Sequence, residues 1–387
     1  MSFLKNRTYY SKDYYLSFGD KLLRFNYLYL FFIFLVVGFG ITVLYSVAGG
    51  HFSPWALKQT LRFFLSLSVL FAISFINMRF LMKYAYWIYG ATLILLASVS
   101  LIGHIGMGAQ RWLNLGFFVL QPSELMKISL ILALARYFHG ADLEEIRSIR
   151  FIIPPALMMI IPVGLILKQP DLGTAMMLVL ATGAIFYLVG VQIWKFVVLI
   201  SGTLLSFPII WSFLHTYQKK RVLTFLNPES DPTGSGYHIT QSKITLGSGG
   251  LFGKGFLEGT QSRLSFIPEK QTDFILTVLC EEFGFIGALI LLILYTIIII
   301  YGFVIAHRSK SFFGKILALG LTVNFALYVF INMGMVMGLM PVVGVPLPLM
   351  SYGGTAMLTL FIGFGMIENI HINREMIIGR RGTIDGE

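Results

Sequence analysis

Four carboxylates fall within FIPEKQTDFILTVLCEEFG, residues 266–284: Glu269, Asp273, Glu281 and Glu282. If 268–284 is helical, Glu269 sits one turn before Asp273, and Glu281 lies about 80° round from Asp273 at 100° per residue. Like charges at that spacing repel slightly, which raises the proton affinity of one member. A carboxylate raised in this way suits a general base, with Asp273 as the catalytic candidate and Glu269 and Glu281 as support. Asp273 and Glu269 could equally hold a divalent cation, Mg²⁺ or Mn²⁺, through oxygen donors. An interfacial helix with solvated acids has the same pattern, so the segment alone leaves these readings open.

A second group carries complementary charge. Glu124 and Lys127 lie three residues apart inside an apolar run, where charges are costly and often functional, although a self-neutralising packing pair is the plain alternative. Gln121 and Ser123 open the same run in LQPSELMKI, with proline suited to the first helical turn. KQPDLGTAM from Lys168 repeats the Gln-Pro-acid theme, and VPLPLMSYGGT, which contains Ser351, also precedes a helix start. Helix N-termini gathered on one face attract phosphates, though each alone is ordinary capping. Arg111, beside Trp112, could grip a phosphate at two points or simply anchor at the membrane interface.

The elements that must position these groups are membrane helices. Of 387 residues, 56% are hydrophobic and only 12% charged, half the charge of a soluble domain of this size. The fold expected is an all-α polytopic membrane protein, with spans at 25–47, 59–78, 84–103, 122–138, 151–167, 171–191, 196–215, 284–306, 316–340 and 352–370. Residues 1–24 form an N-terminal tail, 25–370 the membrane domain and 371–387 a C-terminal tail. One long loop, 216–283, joins the seventh and eighth spans. The first apolar run is long enough to remain as a span, so no cleaved leader is expected. One cysteine, Cys280, excludes an internal disulfide.

Net charge is +11, yet its distribution argues against nucleic acid. Placing the N-terminus in the cytoplasm leaves 17 of the 29 basic residues on that side, which is what orients membrane proteins. Both termini are then cytoplasmic, and the long loop and the helix starts above face outside.

The segments GAQRWLNLGFFVLQPSELMKI, QPDLGTAM, GSGGLFGKGFLEGTQSRLSFIPEKQTDFI, EEFGFIG and NMGMVMGLMPVVGVPLPLMSYGGTAML resemble the SEDS family of bacterial membrane proteins over nearly the whole chain. Gln271 stands where His is usual, Cys280 where Ala is common, and Thr355 where Ser is frequent. The resemblance implies a peptidoglycan glycosyltransferase that polymerises lipid II on the outer face of the bacterial cytoplasmic membrane, in cell elongation and maintenance of rod shape. It implies that Asp273 matches the family's essential acid. Arg111, Lys127, Gln121, Ser123 and Ser351 become candidates for the substrate pyrophosphate. It also implies a class B penicillin-binding protein, a transpeptidase, and the elongation machinery as partners. Gly287 and Ala288 are the small residues that a partner helix could pack on. The rival reading is a flippase moving the same lipid, since broken helices and intramembrane charge suit transporters too.

Overall fold

The computed structural model describes residues 16–106, 109–114, 116, 119–214, 216–231, 234–260 and 269–379. A short helix α1 (Phe18–Leu23) precedes α2 (Tyr27–Val47), α3 (Trp55–Ser74) and α4 (Met78–Ile102). Three short strands follow, β1 (His104–Gly106), β2 (Ala109–Asn114) and β3 (Val119–Leu120). Then come α5 (Pro122–Phe138), α6 (Leu143–Arg147), α7 (Ile149–Lys168), α8 (Leu172–Val189), α9 (Ile193–Leu205) and α10 (Phe207–Phe213). The remainder comprises α11 (Thr216–Leu226), α12 (Ser235–Ser248), α13 (Ile275–Arg308), α14 (Phe312–Val336) and α15 (Gly354–Ile372).

A helix stands at each of the ten expected spans. Eight are long and apolar enough to cross a membrane: α2, α3, α4, α7, α8, α13, α14 and α15. The other two expected spans fall on α5, which has 17 residues, and on α9 with α10, of 13 and 7 residues. α5 has nearly every side chain buried, packed between α4, α8, α14 and α15. Walled by protein rather than lipid, it can carry Glu124, Lys127 and Ser129 where a lipid-facing helix could not. The pairs α15 with α3, α4 with α5, and α13 with α14 build the rest of the bundle.

The helical bundle is the all-α fold expected, while the connection between α4 and α5 differs from a plain loop in forming the short antiparallel sheet β1-β2-β3. The long loop also differs: much of it is helical, as α11 and α12, with a single 3₁₀ turn at Pro228–Ser230 in the turn-like NPESDPTGSG. At its far end the expected helix from 268 is absent in the described part. Residues 269–274 form turns, and α13 begins only at Ile275. Glu269 holds φ at 55°, a left-handed conformation uncommon for a residue with a side chain.

α13 itself breaks at Gly284, where φ is 66° and ψ −163°. The glycine-rich stretch 249–255 lies against that break. Phe285 and Ile286 donate to Gly250 and Leu251 at 2.9 and 3.1 Å, while Lys254 and Gly255 donate to Glu281 and Glu282 at 2.9 and 3.1 Å. Backbone groups freed by the kink are thereby satisfied. A Cβ on Gly284 would fall 2.3 Å from the Gly253 nitrogen, so only glycine fits.

Gly287 is buried under Phe283, which corrects its expected place on a partner surface; Ala288 is half-buried. Of the two tails, 1–15 and 380–387 lie outside the described residues. The segment after α15 packs back on the bundle, with Lys310 donating to Arg374 O at 2.9 Å and the His139 ring 3.0 Å from Gly379 O.

Candidate active site

A cavity of about 310 Å³ opens where α5, α8, α11, β2, the turn before α13 and the start of α15 converge. Asp273, Glu269, Arg111, Lys127 and Gln121 all line it. These residues span more than 160 positions of sequence, so their meeting is a product of the fold.

The turn carrying Asp273 is held from three sides. Asn332 on α14 donates from Nδ2 to the Asp273 carbonyl at 2.9 Å. Ser351 donates to Thr272 O at 2.6 Å, and the Tyr352 amide to Gln271 O at 2.8 Å. The Asp273 carboxylate itself is half-buried and makes no hydrogen bond or ion pair among the described residues. Burial pushes its pKa up to about 6, with Glu269 and Asp171 adding to the rise and Arg221 and Arg111 opposing it. An unengaged carboxylate with that proton affinity is poised to accept a proton near neutral pH. Glu269 accepts from the Thr272 hydroxyl at 3.2 Å.

Positive charge enters from separate directions. Arg111 on β2 donates from Nε to Gln169 O at 3.2 Å and from Nη2 to Pro170 O, the carbonyls that end α7. Its Nε also lies 3.9 Å from Asp171. Lys127 pairs with Glu124 at 2.7 Å and bonds the Tyr328 hydroxyl, which in turn donates to Glu124 Oε2. Arg221 comes from α11. Three helix N-termini reach the same wall: Gln121 caps α5, Asp171 caps α8 by accepting from Thr174 N at 3.2 Å, and Gly353 precedes α15. Pro170 lies before the α8 cap and outside its first turn, unlike the expected placing; Pro122 does open α5.

Three candidates stand away from the cavity. Glu281 is fully buried behind it and pairs with Lys254 at 2.8 Å, with Thr260 donating at 3.3 Å. Ser123 is buried, its hydroxyl without a partner among the described residues. Ser351 turns its hydroxyl to Leu347 N and Thr272 O, a brace for the Asp273 turn. Lys254 is thus engaged, and Arg263, another basic residue of the long loop, lies outside the described residues. Asp171, Arg221, Tyr328 and Glu124 belong to the cavity although the sequence marked none of them as a substrate contact. Asp171 and Glu124 had a local signal, each as an acid at a helix start after a Gln-Pro pair.

Among the described residues no group of three or more His, Cys, Asp or Glu side chains could share a metal ion. Asp273 and Glu269 both present carboxylate oxygens to the cavity, the donor type by which Mg²⁺ is bound through one or two carboxylates together with substrate phosphates.

The family model described as cell cycle protein, FtsW/RodA/SpoVE, matches residues 21–376. The chain is 46% identical over 304 residues to the peptidoglycan glycosyltransferase MrdB of Escherichia coli K12, covering 76% of this chain and 79% of that protein. It is 38% identical over 325 residues to the enzyme of the same name from Helicobacter pylori, covering 81% and 82%. A structure from work on polymerization and crosslinking by a peptidoglycan synthase complex superposes with a TM-score of 0.80 at 31% identity, covering 90% of this chain and 98% of that one. The rod shape determining protein RodA of Thermus thermophilus superposes with a TM-score of 0.68 at 27% identity, covering 91% and 98%.

Proposed function

The chain belongs to the FtsW/RodA/SpoVE family, the SEDS proteins, and is a multi-pass membrane peptidoglycan glycosyltransferase; from that premise we propose that the Asp273 cavity is where it polymerises lipid II. One observation carries the reading: Asp273 is the acid that faces the cavity without a hydrogen-bonded partner among the described residues, and its pKa is about 6.

In the proposed reaction a sugar hydroxyl of one lipid II unit attacks the anomeric carbon of another. The new C–O bond forms as the bond from carbon to the diphosphate oxygen breaks, and the hydroxyl proton passes to an Asp273 carboxylate oxygen. Diphosphate is a good leaving group, so a second carboxylic acid to protonate it is not required, unlike the glycosidase pair. What the departing anion needs is positive potential. Arg111, Lys127, Arg221 and the three helix N-termini supply it around the same space. Asp273 and Glu269 would hold a divalent cation, which when bound adds charge stabilisation for the diphosphate.

Charge distribution supports an external cavity and cytoplasmic termini. Such a site at the lip of the bundle suits a substrate with its sugars in water and its tail in lipid. A class B penicillin-binding protein is the partner proposed, on the apolar face of α13 and α14 where Phe285, Leu289, Leu292 and Met337 are exposed. Polymerisation of labelled lipid II by the purified protein in detergent tests the reading, with Asp273→Asn as the paired control.

A further inference from the structure

Arg62 lies two turns into α3, roughly 10 Å from its first residue at 1.5 Å per residue, in a helix apolar enough to span a membrane. Charge at such depth is costly and marks function by default. Its Cζ sits 4.4 Å from the centroid of the Tyr352 ring, which Trp55 meets edge-on at 4.9 Å. Its Nη1 is buried with no acceptor among the described residues. The side chain also lies against the first residue of α15: a Cβ on Gly354 would come within 3.1 Å of Nε and 3.3 Å of Cζ. Tyr352, Gly353 and Gly354 all line the cavity that holds Asp273.

Two positive poles therefore stand side by side, the guanidinium and the N-terminal end of a 19-residue helix, whose dipole places about half a unit charge there. Gly353 offers α15 no side-chain cap. With no acidic partner to Arg62 among the described residues, this pairing is self-opposed and leaves a buried donor unmet; stacking on Tyr352 offsets only part of that. On the same face of α3, Gln59 donates to Ser351 O at 3.0 Å and accepts from Gly353 N at 3.5 Å. Ser351 in turn bonds Thr272, beside Asp273. The face of α3 that bears Arg62 thus connects to the reacting acid through two short links.

We propose that Arg62 is a positioning residue for the transfer reaction: it fixes the Tyr352–Gly354 wall and makes the α15 end of the cavity the seat of the substrate diphosphate. This rests on the cavity being the transfer site. Arg62 acts through the wall, and its charge reaches the anion across it.

The test compares wild type, Arg62→Leu and Arg62→Lys for kcat, for KM with lipid II and for inhibition by added polyprenyl diphosphate, the released product. Arg62→Leu should weaken that inhibition and raise KM about tenfold, the order expected for one charge acting from about 12 Å with an effective dielectric near 20. Arg62→Lys should retain most of the inhibition but lose rate, because an ammonium does not stack as a planar guanidinium does. Equal inhibition of wild type and Arg62→Leu overturns the proposal even where kcat falls, since a merely structural role would lower kcat without moving product affinity. A wild type insensitive to polyprenyl diphosphate while Asp273→Asn is inactive would sink the diphosphate seat and leave Asp273 standing. Should Arg62→Leu fail to accumulate folded, Arg62→Gln against Arg62→Lys carries the same comparison.

Discussion

One buried amide on α14 holds both the reacting turn and the opposite wall: Asn332 Nδ2 donates to the Asp273 carbonyl at 2.9 Å and to the Val345 carbonyl at 2.7 Å. Asn332 does not line the cavity itself, yet it ties together two residues that do, Asp273 and Val345. Asn332→Ala should therefore lower kcat by about tenfold to a hundredfold, the range that a displacement of about 1 Å costs a positioned group. The pH midpoint of the rate should stay where it is, because the carboxylate's charged neighbours are unchanged. An unaltered kcat in a folded Asn332→Ala protein would show that the turn is fixed by other bonds.

Asp273→Asn keeps shape while removing the base, so polymerisation should fall by a factor of about 10² to 10⁴. Binding to a partner transpeptidase should persist, since the side chain makes no packing bond. Stability gives an independent sign. The native pKa of about 6 exceeds the ordinary 3.8, so between pH 4 and 6 the native state holds a proton that the unfolded chain has released. Ionisation thus removes stability as pH rises through that window. At pH 7 Asp273→Asn should melt at or above the wild-type temperature, and near-normal polymerisation by it would rule out Asp273 as the base.

The pH profile follows from the same carboxylate. A base must be ionised, so the rate should climb through a midpoint near pH 6 and level above it. Glu269 contributes to the raised value, so Glu269→Gln should move the midpoint to lower pH. If Glu269 instead serves mainly to hold a divalent cation, titration with Mg²⁺ will show a weakened dependence on the ion with no change of midpoint.

Glu281 was read as a supporting acid, and its position predicts something different. Lys254→Met leaves a fully buried carboxylate without the Lys254 ammonium that pairs with it. Losing one member of such a pair costs on the order of 3–5 kcal/mol when the other stays buried. Thermal stability should drop while the pH midpoint holds; a shifted midpoint without loss of stability would place Glu281 in the chemistry after all.

Topology is tested by fusions. Alkaline phosphatase joined after Gly236, in α12, should be active, and joined after Lys310, between α13 and α14, inactive. The reverse pattern would put the cavity on the wrong side for an externally displayed substrate.

The helices were legible because apolar run length alone specifies them, and each expected span has one. Asp273, Arg111 and Lys127 were legible because charge in an apolar setting is conspicuous. What could not be read was closure. Tyr328 joins Glu124 across 204 positions, and Arg221 sits in a basic run, KKR, that reads as solvated loop until α11 places it. Glu281 misled because helical phase was counted from 268, whereas the helix begins at Ile275 and breaks at Gly284. Ser351 misled because a hydroxyl at a helix start resembles a phosphate ligand until its two backbone partners are known.

The stretch 249–255 and residues 281–286 exchange four backbone hydrogen bonds, so each completes the other's. For anyone building chimaeras this makes them one inherited unit. A long loop transplanted from a relative without the matching stretch of α13 would leave its glycines and the kink at Gly284 without their bonded partners. Swapped together, the two should transfer cleanly; swapped singly, either should misfold, whatever the match in length.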